Sequence, residues 1–371
     1  MGCRCGPLCI SGRPCDCAPS SKAGLSPWQS AERSAEDGGM KLLRPSLPCR
    51  APLWANNGYL QSVLGNYLPK PPLQVVGQQA VLDLPDGDRL LAQVYTPPPQ
   101  APKLARKTVL CAFHGLGGHA DRPYMQRVVD IGTARGCEVW TINHRGCGPG
   151  RGLAKGIYHS GVAADLSSVF AEVRRRQPDS RIVGLGFSLS ANALLLCLGD
   201  GHGGPHHHPD AAIAVNPPIN LARCAELICA PNHRLFNLYF VKGCVRYARE
   251  READGLSPKG RYPVHLRMSL QDFDDLFTAP LAGFRDRHDY YARASALPHL
   301  GRIARPTVIV HAEDDPFIDA ADFHSATLGP GVHLHLEAQG GHLGYVSRDL
   351  PHRRWLDYGL GHYLDQLLAL P

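Results

Sequence analysis

Ser188 sits in the pentapeptide Gly186-Phe187-Ser188-Leu189-Ser190, where the apolar run 182–187 gives way to a helix-forming stretch. On so tight a strand-to-helix turn a serine hydroxyl is thrust outward, and only small residues fit on either side of it. Gly186 meets that demand on one side. On the other the strict pattern asks for glycine, and Ser190, followed by Ala191, is small enough to stand there. The plain alternative is a serine that N-caps the helix. A serine hydroxyl is a weak nucleophile near neutral pH and needs a base, itself oriented by a carboxylate. Candidates for both follow in order, each just past an apolar run: Ala312-Glu313-Asp314-Asp315-Pro316 and then Gly340-Gly341-His342. Asp315 is preferred to Asp314 because it directly precedes the proline of the turn. Either aspartate could be a solvated loop residue, and so could His342; all three types in this order are far less easily met by accident. The chemistry would be acyl transfer, with Ser188, Asp315 and His342 as the catalytic residues.

Such chemistry also needs two fixed donors for the oxyanion of the tetrahedral intermediate. One would be the backbone N–H of Leu189, next after the nucleophile. The other would be the N–H of Leu116, in the loop His114-Gly115-Leu116-Gly117-Gly118 after the run ending at Phe113. His114 reads as a brace for that loop rather than a base.

To bring these residues together the chain must supply strands that end side by side. Residues 75–84 and 89–95 read as two strands turning at Asp86-Gly87-Asp88, a hairpin signal. Residues 107–113, 137–143, 182–187, 211–215, 306–311 and 332–337 are short apolar runs suited to strands buried on both faces. Helical stretches alternate with them near 124–134, 161–176, after Ser188, and 353–370. That rhythm predicts an α/β fold: a mostly parallel central sheet with helices on both faces. Residues 217–295 break the rhythm, being rich in aromatics and arginines with no convincing strand. They are expected to form a helical cap inserted over the strand ends, where ligands bind in open α/β sheets. The core would then comprise 75–216 and 296–371, with 40–74 an N-terminal extension packed on it. Residues 1–39, rich in Cys, Ser, Gly and Pro, read as disordered, and Met40 as a candidate true start.

Bulk properties narrow the function classes. The 371 residues carry a net charge of +6, but the basic residues are scattered and no aromatic-basic motif accompanies them, which argues against a nucleic-acid partner. The run Arg174-Arg175-Arg176 reads as a solvated helix end. No stretch approaches the ~20 apolar residues of a membrane span; a cytoplasmic protein is expected, with room for peripheral membrane contact. Five of the 13 cysteines crowd residues 3–17 without paired zinc-ligand spacing, and the rest lie singly as small hydrophobes. His202 and His206-His207-His208 fall in a Gly/Pro-rich loop and read as surface rather than metal ligands.

With these residues assembled, the chain resembles the YheT-like subfamily of α/β-hydrolases, to which eukaryotic abhydrolase-domain esterases and lipases also belong. The matching text includes Pro52-Leu53-Trp54-Ala55-Asn56-Asn57-Gly58-Tyr59-Leu60-Gln61, Phe113-His114-Gly115-Leu116, His144-Arg145-Gly146-Cys147 and Tyr158-His159-Ser160-Gly161. It continues with Phe273-Asp274-Asp275 through Thr278-Ala279-Pro280, Asp289-Tyr290-Tyr291, Asp314-Asp315-Pro316-Phe317 and Gly340-Gly341-His342-Leu343-Gly344. Where the family usually reads Ser-Leu-Gly-Gly-Asn, this chain has Ser188-Leu189-Ser190-Ala191-Asn192. The resemblance implies a Ser-Asp-His hydrolase of carboxylic esters, either short- to medium-chain acyl esters or acylglycerols, acting on a small-molecule substrate with no cofactor and no metal. A thioesterase or acyltransferase would use the same triad, and a non-catalytic binding protein could keep the fold; neither these alternatives nor the oligomeric state is separated by sequence.

Overall fold

The computed structural model describes residues 42–68 and 72–371; the expectations for residues 1–39 and for Met40 lie outside them. Eight strands form one sheet: β1 (Gln78–Asp83), β2 (Arg89–Tyr95), β3 (Thr108–Phe113), β4 (Glu138–Asn143), β5 (Arg181–Phe187), β6 (Ala211–Val215), β7 (Thr307–Ala312) and β8 (Val332–Glu337). Their order across the sheet is β1-β2-β4-β3-β5-β6-β7-β8. β1 pairs antiparallel with β2, and β2 with β4, while every pair from β4 to β8 is parallel. The continuous apolar runs have the cause inferred for them: every residue of β3, β5, β6 and β7 is buried. β1 starts later than the apolar pattern suggests, because pairing begins at Gln78 opposite Val94, and Val76 is left 91% exposed.

Helices cover both faces. α2 (Pro123–Thr133) and α10 (Trp355–Ala369) pack on one side through Val128, Val129, Trp355 and Tyr363; α3 (Ala163–Arg176) and α4 (Leu189–Asp200) pack on the other through Phe170, Leu194 and Leu195. Arg174 reaches Asp210, while Arg175 and Arg176 both reach Glu172, so the arginine run is a paired helix end. Between β6 and β7 the chain forms α5 (Leu221–Cys229), α6 (Arg234–Ala253), α7 (Leu270–Phe273, running on through the π-helical turn Asp274–Thr278 into Ala279–Leu281) and α8 (Arg287–Ala294). A short α1 (Gly58–Leu64) precedes the sheet, and α9 (Ala320–Ser325) follows β7. Among the described residues no helix is long and apolar enough to cross a membrane.

Candidate active site

β5 delivers Ser188 at its end, and α4 starts one residue later. The turn holds Ser188 at φ 52°, ψ −121°, a region that a non-glycine residue enters at a cost of roughly 1–3 kcal/mol. The sheet over-determines it: Ser188 N donates to Val215 O at 2.8 Å, extending the β5–β6 ladder past the strand. Gly186 is required because a Cβ there would fall 2.7 Å from Ser190 O and 2.8 Å from Ala191 N. Side-chain capping plays no part at Ser188, whose hydroxyl makes no cap bond to α4.

The hydroxyl faces His342 instead, with Ser188 Oγ 2.9 Å from Nε2. On the other side of the ring, Nδ1 lies 2.8 Å from Asp315 Oδ2. Burial works against ionisation of Asp315, but His342 and the N–H groups of Phe317 and Ile318 outweigh it, so its carboxyl titrates below the ordinary range. Asn216, at the end of β6 with φ 44°, donates to the same Asp315 oxygen at 2.8 Å and accepts from Tyr345 Oη at 2.9 Å. Asp314 does different work. Its Oδ1 accepts the N–H groups of Gly340 and Gly341 at 2.8 and 2.7 Å, which fixes the loop that carries His342.

That loop is also held from the N-terminal side. Ser62 Oγ accepts from His342 N at 2.7 Å, and Gln61 exchanges hydrogen bonds with the backbone of Val346. α1 comes so close that a Cβ on Gly341 would sit 2.3 Å from Gly58 O, and one on Gly58 only 1.7 Å from Asp314 O. Among the described residues five non-glycine residues have positive φ, and four of them belong to this site: Ser188, Asn216, Leu343 and Tyr345.

The loop after β3 lies opposite. Gly115 N–H is taken up by Tyr124 Oη at 3.0 Å, whereas the amides of Leu116 and Leu189 donate to no protein acceptor among the described residues. A Cβ on Gly115 would lie 3.1 Å from Ser188 Cβ, so the loop passes directly over the serine. His114 braces it: Nδ1 lies 2.8 Å from Gly115 O, and Nε2 accepts from His144 N. Burial pushes this imidazole down to about 4, so it stays neutral.

Ser190 proves to be more than a small filler. Fully buried, its Oγ bonds His144 Nε2 at 2.7 Å, Tyr158 Oη at 2.8 Å and the carbonyl of His114. The helix that follows Ser188 is thereby tied to the loop after β3 by the hydroxyl that stands where the family usually has glycine. Two residues on, Asn192 bonds Ser160 Oγ and the backbone of Ala294 and Ala296, so Ser160 is a strut.

A cavity of about 100 Å³ opens from Ser188 and His342 between the helices 221–294 and the sheet. Its walls are apolar, with Leu189, Leu221, Ile228, Phe240, Phe273 and Phe277 among them. One carboxyl interrupts this lining. Asp274 is pushed up to about 6 by burial, despite the hydrogen bond Tyr291 Oη donates to it at 2.8 Å.

Sequence reasoning missed Asn216, Ser62, Gln61 and the separate task of Asp314. Gln61 and Asp314 did lie within quoted family text, which was the available signal; Asn216 and Ser62 carried none.

Residues 105–342 match a family model described as "Hydrolase_4: Serine aminopeptidase, S33". The Escherichia coli protein YheT, named as an esterase, is 32% identical over 77% of this chain and 84% of its own length. A Saccharomyces cerevisiae protein named monoacylglycerol lipase is 27% identical over 72% of this chain and 61% of its own. Among solved structures, an esterase of Pyrococcus furiosus superposes with a TM-score of 0.52 at 14% identity, covering 81% of this chain and all of that one. The chain belongs to the esterase/lipase-type α/β-hydrolase family, in its YheT-like branch.

Proposed function

We propose that the chain is a serine esterase that cleaves carboxylic esters with short- to medium-chain acyl groups, or acylglycerols, through Ser188, His342 and Asp315. His342 Nε2 takes the proton of Ser188 as Oγ attacks the ester carbonyl, and Asp315 stabilises the imidazolium. The amides of Leu116 and Leu189 receive the oxyanion; one such donor is worth about 10²–10³ in rate. The imidazolium then returns its proton to the departing alcohol, leaving the acyl group on Ser188, and water repeats the cycle. In this reading residues 217–295 act as a cap that closes an apolar acyl site over the core 75–216 and 296–371.

The observation that carries the reading is the aligned relay at the mouth of an apolar cavity, 2.9 Å from Ser188 Oγ to His342 Nε2 and 2.8 Å from Nδ1 to Asp315 Oδ2. The test is a panel of p-nitrophenyl esters of increasing acyl length, with an aminoacyl anilide and a monoacylglycerol alongside, on the wild type and Ser188→Ala. Ester turnover that depends on Ser188 and varies with chain length supports the reading. A flat response unchanged by the substitution, or turnover of the anilide alone, contradicts it.

A further inference from the structure

From its N-terminal half α6 presents an outward face that no part of the described chain covers. Leu235 is 81% exposed, Tyr239 62% and Leu238 45%. Helical spacing puts Lys242, Arg246 and Arg249 on the same side, after Arg234 at the helix start, and all four are exposed. No acidic residue occurs between Arg234 and Arg249. Arg246 has only a long 3.9 Å approach to Glu250, and Arg234, Lys242 and Arg249 form no ion pair among the described residues. Soluble proteins rarely leave large side chains so exposed in a contiguous patch without a use for it.

The apolar surface continues onto α1. Tyr59 packs its ring on His233 and Phe236 at centroid distances of 5.1 and 5.0 Å, and its hydroxyl donates to Asn232 O. Beyond it Leu60, Val63, Leu53, Trp54 and Tyr67 are exposed, and Arg353 lies over the Trp54 ring. This surface adjoins the candidate site through the aromatic residues beneath it. Phe236 and Phe240 both pack on Phe317, whose ring is 4.4 Å from that of His342. Phe240 lines the cavity, and a Cβ on Gly243 would come within 3.9 Å of Gly117 in the oxyanion loop.

We infer that the outer face of α6 together with α1 is a docking surface for a lipid layer bearing anionic headgroups, and that docking sets the mouth of the cavity against that layer. Charge complementarity selects this occupant: exposed leucines and a tyrosine followed along one helix face by exposed cations are what an interfacial helix presents to acyl chains and anionic headgroups. A cation near such a surface contributes about 1 kcal/mol, roughly fivefold in partitioning. The inference deepens the esterase reading by saying where its substrate would be met, but binding can be measured without catalysis.

The experiment is flotation with phosphatidylcholine vesicles, with and without phosphatidylserine, using Ser188→Ala protein so that the lipid stays intact. The expected result is binding to the phosphatidylserine vesicles that weakens with added salt. Lys242→Glu/Arg249→Glu is expected to lower it more than tenfold, and Leu235→Ser/Leu238→Ser by a similar factor, each with an unchanged thermal unfolding midpoint. Absence of flotation, equal binding to both vesicle types, or binding indifferent to both double variants would overturn the inference, as would a stable complex with another protein that covers α6 and blocks vesicle binding. Flotation by a protein whose wild type turns over no ester would sink the esterase reading and leave this surface standing.

Discussion

Replacing Ser190 by alanine probes the link between α4 and the loop after β3, where the proposed oxyanion donor Leu116 lies. The proton inventory fixes what is lost. His144 is neutral, since burial holds its ring well below the ordinary range, and its Nδ1 has no partner. The single ring proton therefore sits on Nε2 and is donated to Ser190 Oγ, which donates in turn to His114 O. In Ser190→Ala, Tyr158 Oη, whose one proton is shared between Ser190 Oγ and His114 O, is left with the carbonyl alone, but the buried Nε2–H of His144 has no acceptor left. An orphaned buried donor costs about 1–3 kcal/mol, so stability is predicted to fall by about 2 kcal/mol, measurable by denaturant titration. The His114 carbonyl, which loses its tie to the helix after Ser188, lies two residues before Leu116, and looser placement of that amide weakens transition-state binding more than ground-state binding. We predict kcat lower by roughly tenfold, inside the 10²–10³ ceiling for losing a donor outright, with KM little changed. A purely structural hydroxyl would lower the stability and leave kcat alone. Equal stability and equal kcat in the two proteins would refute the reasoning.

Asp315→Asn should cut kcat by about 10⁴, because the amide cannot hold His342 in the useful tautomer, while leaving short-ester KM nearly unchanged in steady-state assays. Arg145 binds Asp165 with two hydrogen bonds of 2.6 and 2.7 Å and also reaches Asp88 and Asp86. Arg145→Ala, which leaves Asp165 buried and uncompensated, should cost about 3–5 kcal/mol by denaturant titration. Asp274 titrates at about 6 against an ordinary 3.8, so the folded protein keeps a proton that the unfolded chain has released in that interval. Its contribution is thus fully present below 3.8 and lost as pH rises through about 6. Asp274→Asn, which mimics the protonated acid, should match wild-type stability near pH 4 and exceed it at neutral pH by up to about 3 kcal/mol; a difference independent of pH would refute the assignment.

How much of this was legible in the sequence depends on the range over which each residue acts. The buried parallel strands announced themselves because both faces of β3, β5, β6 and β7 need apolar side chains, and Ser188 because an elbow demands a strand, a small residue and a helix in succession. The turn at Pro316 was visible and singled out Asp315, but the separate task of Asp314 was not: Asp315 meets His342, while Asp314 accepts the amides of Gly340 and Gly341. Ser62 and Gln61 brace a loop some 280 residues downstream, and a hydrogen bond across that separation leaves no local pattern. Ser190 looked like a departure at the elbow; its meaning needs His114, His144 and Tyr158, three residues that only the fold brings to one hydroxyl.

If the hydroxyl of Ser188 is an activated nucleophile, a covalent serine probe will find it there. The wild type treated with a fluorophosphonate and digested should carry the adduct on the peptide containing Ser188, with labelling abolished in Ser188→Ala and greatly slowed in His342→Ala. Wild-type protein that stays unlabelled, or that takes the label at another serine, would contradict it.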